Sequence, residues 1–511
     1  MCTNKKSTAS ADNRIANDTM VTRRSVLAGA GAATLLASGL SGLPRAMADD
    51  FSERQRLRFP NLLDSYETKL VELTAMTGSS KFLGGVESTT YGFNQNYLGP
   101  TLRLSTGATK ARIENTLDEY ISVHWHGLLL PGAQDGGPHQ PIASGGNWVP
   151  ELDIAQAPST AWYHTHIHEN TAAQVYRGLA GAIQVTDGQD HQRGLPDTYG
   201  ENDLLLVLQD KRFDESGQMD YQPHMMDMMH GFVGDQILVN GQTGGLAIVP
   251  KGIVRLRLLN ASNARIFSLF FEDQRSMHLI ATDGGYLSSP APLKQLRLSP
   301  GERVEVLVDF GNALPASLMS GEDPNQGPSG MMGRISRVID AFWDRSFVVL
   351  PFSVDERLKS PIDRLPDQLG GEAPQLDGEG VVRRRVSLDM PMGPGMMHGG
   401  MTAGFAINGR PFDMERIDFQ VAKGTVEHWT VESQMLAHPF HIHGAYFQVI
   451  SENGQFPRPE NEGWKDTVLV DRQVELLVRF NHTATEEKPF MFHCHILEHE
   501  DAGMMGQFTV T

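Results

Sequence analysis

The stretch "FHCHILEHEDAGMM" (Phe492–Met505) sets Cys494 between His493 and His495, with His499 and Met504 following. On an extended strand, successive side chains point to opposite faces. His493 and His495 therefore share one face and the Cys494 thiol takes the other, so the cysteine and its neighbours serve different metal ions. Cys494, His499, Met504 and the upstream His438 together offer a thiolate, two imidazoles and a weak axial thioether. That is the donor set of a blue-copper electron-transfer site.

Working outward, three more segments repeat the i, i+2 histidine spacing: "HWHG" (His124–Gly127), "WYHTHIH" (Trp162–His168) and "HPFHIHG" (His438–Gly444). By the same alternation His124 projects with His126, His164 with His166, and His441 with His443. With His493 and His495 these make eight imidazoles, enough for a cluster of several metal ions. The only other cysteine, Cys2, lies in the N-terminal leader. The unpaired thiol of an exported chain is a buried inert group, an intermolecular bridge or a metal ligand, and the surrounding histidines favour the ligand.

The strands that carry these motifs show a period of two. "IVRLRLL" (Ile253–Leu259) puts Val254, Leu256 and Leu258 on one face and Arg255 and Arg257 on the other; "RVEVLVDF" (303–310) and "QVELLVRF" (473–480) behave alike. Such runs broken by Gly, Pro, Asn and Asp predict β-sandwiches, and 511 residues suggest about three domains. Weak repeats recur: "ILVNGQ" (237–242) with "FAINGR" (405–410), and "GERVEVLVDF" with "DRQVELLVRF". The expected divisions are a leader at 1–48, domains at 49–190, 200–356 and 381–511, and a polar, Pro- and Gly-rich linker at 357–380.

The leader reads as a twin-arginine export signal. "TRRSVL" (Thr22–Leu27) precedes a weakly apolar run and the small-x-small site "AMA" (Ala46–Ala48). The expected location is the periplasm or cell exterior after passage through the Tat machinery, with no stable membrane anchor. Formal net charge is −18, and the leader holds more basic than acidic residues, so the remainder is more acidic still. Nucleic acid and anionic membranes are therefore excluded as partners. A monomer is expected.

The chain resembles the bacterial multicopper oxidases, especially the periplasmic copper-efflux oxidases, through "HWHGLLLPGAQDGGP", "LLNASNARIFSLFF", "FDMERIDFQVAKG", "HPFHIHG", "SENGQFPRPENEGWKDTVLV" and "HCHILEHEDAGMM". The resemblance implies an all-β chain of three consecutive cupredoxin-like Greek-key β-sandwich domains, the middle one free of ligands, and four copper ions. It assigns His438, Cys494, His499 and Met504 to the type 1 copper and His124 and His441 to the type 2 copper. The type 3 pair takes His126, His164 and His495 on one ion and His166, His443 and His493 on the other. It places Asp135 and Glu500 at acidic relay positions that bring protons to dioxygen, and gives His168 and His139 no ligand role. The activity it implies is one-electron oxidation of a substrate at the type 1 copper and reduction of dioxygen to water at the trinuclear cluster.

Soft thioethers select Cu(I). Met390, Met392, Met396, Met397 and Met401, with Met435 and Asp389, are therefore candidate contacts for a Cu(I) substrate, and Met225, Met226, Met228 and Met229 weaker ones. The expected role is cuprous oxidation serving copper tolerance, with a laccase acting on phenols or aromatic amines as the alternative. One position departs from the close family: where it carries an acidic residue just upstream of His438, this chain has Gln434. Exported copper-free relatives that act in cell division form a third reading, and those lack ligands that this chain retains.

Overall fold

The computed structural model describes residues 54–326, 346–390 and 404–511; the expected export signal lies outside them. The alternating runs form strands with one buried face. In the strand Leu70–Lys81, for example, Val71, Leu73 and Ala75 are buried while Leu70 and Glu72 are exposed. The chain is all-β, built as three consecutive cupredoxin-like sandwiches. In the first, a four-stranded sheet (Leu62–Asp64, Thr101–Ser105, Ala180–Thr186, Ser159–His164) faces a five-stranded sheet centred on Leu70–Lys81 and Gly107–Asn115. The second pairs an eight-stranded sheet, including Asp203–Phe213, Ile253–Asn260 and Arg303–Asp309, with a five-stranded sheet. The third has two five-stranded sheets, one holding His438–Ile442, Phe490–Cys494 and Met505–Val510 side by side. Residues just ahead of the first sandwich belong elsewhere: Leu57 donates its N–H to Leu246 O (2.8 Å) and is buried in the core of the second sandwich.

The repeats noted in the sequence are structural. Asn240–Gly241 (φ 53° and 73°) and Asn408–Gly409 (φ 54° and 71°) are both left-handed pairs, as a tight hairpin turn requires. In each, the asparagine Oδ1 accepts a backbone N–H from a neighbouring strand, of Val207 and of Ser387, both at 2.8 Å. The strand pairs Ile253–Asn260 with Arg303–Asp309, and Val426–Ser433 with Gln473–Arg479, occupy matching places in the second and third sandwiches.

The face opposite Val254, Leu256 and Leu258 is buried as well. Arg255 and Arg257 lie at the junction with the first sandwich and share Glu305, at 2.5 and 2.9 Å; Arg255 also reaches Asp190 (2.9 Å) and Arg257 reaches Asp203 (2.7 Å). Thr160 of the first sandwich donates to Glu305 Oε1 at 2.7 Å. Removing one member of such a buried network strands the opposite charges, which costs about 3–5 kcal/mol. Glu305→Ala should therefore lower the thermal midpoint by several degrees; an unchanged midpoint would show that the network contributes nothing.

Candidate metal centre

One sheet of the third sandwich and one edge of the first bring the ligand segments together. Register places Phe440 opposite Cys494 and His441 opposite His493, and a bridge joins His124 to His164. The "HWHG" segment lies outside any named strand: His124 makes the bridge, and His126 and Gly127 form a turn.

The expected split around Cys494 is present. On one face, Cys494 Sγ lies 3.3 Å from His438 Nδ1 and 3.7 Å from His499 Nδ1, and the two nitrogens are 3.2 Å apart. Met504 is fully buried beside them. Its carbonyl accepts the Cys494 N–H (3.1 Å) and its N–H donates to His499 O (2.9 Å), so the main chain holds all three residues in one turn. Burial pushes the Cys494 thiol up and drives the His438 imidazole down to about 3. The imidazoles are therefore neutral donors, and a metal ion would take the place of the thiol proton.

On the other face the eight imidazoles converge. His166 Nε2 and His443 Nε2 lie 3.3 and 3.1 Å from His493 Nε2. His126, His164 and His495 form a second triad, and His124, His126 and His441 a third grouping, with ligand atoms close enough to share an ion. His124 stacks on His443 and His126 on His441, each at 3.8 Å. Nε2 of His124, His164 and His441, Nδ1 of His126 and both nitrogens of His495 are buried without a partner. Orphaned ring nitrogens aimed at a common space are what a metal cluster requires. Burial lowers His126, His164, His166, His443 and His495 well below the usual range and His441 to about 4.

The outward nitrogens are braced. Two aspartates do this twice each. The Asp135 carboxylate takes His443 Nδ1 (2.7 Å) and its carbonyl takes His124 Nδ1 (2.9 Å). The Asp466 carboxylate takes His126 Nε2 (3.2 Å) and its carbonyl takes His441 Nδ1 (2.9 Å). Backbone carbonyls of Thr165 and Cys494 accept from His164 and His493, at 2.7 and 3.0 Å. Gly136 (φ 83°) permits the tight approach: a Cβ there would sit 1.7 Å from Val123 O. Glu500 lies 3.3 Å from His166 Nδ1 and 3.2 Å from His493 Nδ1, yet neither contact has hydrogen-bond geometry, and both carboxylate oxygens are buried without a partner. Asp135 Oδ1 is likewise unpartnered.

Asp466 was not singled out in the sequence, although a Lys465–Asp466 pair directly before the apolar run "TVLV" is a signal of buried charge. Among the other candidates, His168 sits edge-on to Phe412, and His139 Nε2 lies 2.8 Å from Gln507 Oε1, both away from the cluster. Met390 is buried in the hydrophobic cluster that also contains Cys494 and Met504. The Asp389 carboxylate accepts from Gly409 N–H (2.6 Å) and Ser387 Oγ (2.9 Å). Met435, Met225 and Met226 are exposed. Met392, Met396, Met397 and Met401 lie outside the described residues.

Family models described as "Multicopper oxidase" match residues 74–190, 160–317 and 385–511. The chain belongs to the multicopper oxidase family. Its curated relatives include the cell division protein FtsP of Escherichia coli, 37% identical over 93% of this chain and 97% of that protein. FtsP of Xenorhabdus nematophila is 36% identical over 93% and 96%. Among solved structures, the laccase-like multi-copper oxidase CueO of Ochrobactrum sp. superposes with a TM-score of 0.81 at 42% identity, covering 89% of this chain and all of that one. McoA of Aquifex aeolicus gives 0.77 at 30%, covering 90% and 99%.

These relatives correct the expected role. The expectation of cuprous oxidation serving copper tolerance, with phenol oxidation as its alternative, is overturned by curated relatives named for cell division across nearly the whole chain. Among the described residues, no helix is long and apolar enough to cross a membrane.

The depressed histidines set a pH dependence. His438 and His441 are neutral in the folded state down to about 3 and about 4, whereas unfolded histidines protonate near about 6.5. Below that pH the unfolded chain binds more protons, so stability falls as pH falls. The thermal midpoint of metal-free protein should drop between about pH 6.5 and pH 4; a flat profile over that window would contradict neutral burial of these rings.

Proposed function

We propose that this chain is an exported copper protein with oxidase chemistry, using dioxygen as electron acceptor, that works in the division setting its FtsP relatives' names indicate. The observation that carries this is the completeness of the donor set, with the ligand atoms of each group close enough to share an ion and the outer nitrogens of six of the eight cluster histidines braced. His438, Cys494, His499 and Met504 would hold one ion. His124 with His441, His126 with His164 and His495, and His166 with His443 and His493 would hold three more. Bound copper supplies one-electron redox chemistry at the first site and oxygen reduction at the second. The protein's part is to keep both sites dry, to hold neutral imidazoles in register, and to place the unpartnered oxygens of Asp135 and Glu500 where protons are needed. The His493–Cys494–His495 backbone is a short covalent link between the sites. Oxidase activity of the CueO relative towards lignin model compounds and lignosulfonate supports the redox part of the reading. Export through the Tat machinery and a monomeric state complete the proposal.

Metal analysis after copper loading tests it. The wild type should hold one ion in the cysteine site and three in the cluster, be blue, and consume oxygen with a one-electron reductant. Cys494→Ser should lose the blue band and oxygen consumption while keeping the cluster copper. A colourless wild-type protein that binds no copper would overturn the reading in favour of a copper-free division protein. For the cellular setting, a fluorescent fusion that never concentrates at the division site would count against the role.

A further inference from the structure

We infer that Arg303, a residue of the ligand-free middle sandwich, is a positioning residue for the histidine cluster, acting through Asp466. This rests on the copper-binding reading above and deepens it. Arg303 is fully buried, and each of its five N–H donors has an acceptor. Nη1 and Nη2 each donate to one oxygen of Asp466 at 2.6 Å, Nε to Thr160 O at 3.0 Å, Nη1 to Gly301 O at 3.1 Å, and Nη2 to Asp283 O at 3.2 Å. The planar fork thus fixes the plane of the Asp466 carboxylate, which a point charge could not do.

Asp466 in turn touches two imidazoles from different sandwiches. Its Oδ1 faces His126 Nε2 of the first, and its carbonyl holds His441 Nδ1 of the third. Those two rings are the stacked pair at 3.8 Å. Thr467 Oγ1 donates to the same Oδ1 at 2.8 Å. With its outer nitrogen held, His126 turns the unpartnered Nδ1 inward.

The middle sandwich grips this point from several sides. Asp283 accepts the Arg303 N–H at 2.8 Å and lies 3.0 Å from Lys465 Nζ, which also reaches Glu302 at 2.9 Å. The glycine of "HWHG" fits the same plan. Gly127 (φ 89°) lies so close that a Cβ would sit 2.3 Å from Arg303 Nη2. Asp135 braces His443 and His124 in the corresponding way, with Gly136 beside it, and among the described residues no arginine pairs with its carboxylate. The His124–His443 and His126–His441 pairs are therefore held by different means.

The test uses full-length protein loaded with copper. Arg303→Lys keeps the charge and loses the fork; Asp466→Asn keeps the shape and loses the charge. Both should retain the blue band of the Cys494 site, which certifies folding. Both should bind cluster copper about 10–100-fold more weakly, as loss of a group that orients a metal ligand does, and show altered type 2 electron paramagnetic resonance. Wild-type cluster affinity and an unchanged type 2 signal in a folded Arg303→Lys protein would overturn the inference. Should Arg303→Lys not fold, Asp466→Asn alone decides: weakened cluster copper with the blue band intact supports the clamp, and unchanged cluster copper refutes it. A wild type that binds no copper would sink the copper-binding reading itself and this inference with it.

Discussion

Ten imidazoles and a thiol, all buried, must be held in fixed orientation inside the protein. Every other feature of the centre answers that constraint. A buried imidazole with an unsatisfied N–H is costly, so six of the outward nitrogens are given to carbonyls and carboxylates. Asp135 and Asp466 carry most of this load, each serving one histidine by side chain and another by main chain. The result is a site pre-shaped for metal ions by groups that are not themselves ligands.

The three sandwiches divide the work unevenly. The first and third supply the ligands, and the short helix Leu497–Asp501 ties them to one another and to the second. Its Asp501 carboxylate accepts the N–H groups of Thr171 and Ala172, both at 2.9 Å. Its Glu498, raised to about 7 by burial, takes Tyr221 Oη, Asn263 Nδ2 and Phe232 N–H. The middle sandwich adds no donor atom. Through Arg303, through Asp283 and Glu302, which pair with Lys465 of the third, and through the arginines around Glu305, it adds charge compensation at the junctions. Those ion pairs are fully buried, where geometry matters more than Coulomb attraction.

What was legible in the sequence was what local periodicity determines. The two faces of His493–Cys494–His495, the paired projections of the other histidines and the strand repeats all follow from alternation within a few residues. Arg303 and Asp466, 163 positions apart, meet only through the packing of separate sandwiches, and nothing local marks either as a partner of the other. Likewise Arg255 and Arg257 were correctly assigned to one face, but that this face is a buried junction depends on elements far along the chain. The cellular role was not legible either. The ligand motifs speak of copper, whereas the setting in which the protein works depends on surfaces and partners that ligand spacing does not encode.

The centre joins residues from both ends of the described chain: His166 and His493, in contact at the cluster, are 327 positions apart. The strand Phe490–Cys494 is fixed in its sheet by Met505–Val510, the last strand among the described residues. A growing chain is released from its N-terminal end, and domains fold as they emerge. The first sandwich can thus complete its folding while offering only half a set of ligands, and the second adds none. Neither centre can take shape before the Met505–Val510 strand has been made and paired. The order of synthesis therefore acts as a clock that delays tight metal capture until the third sandwich is available.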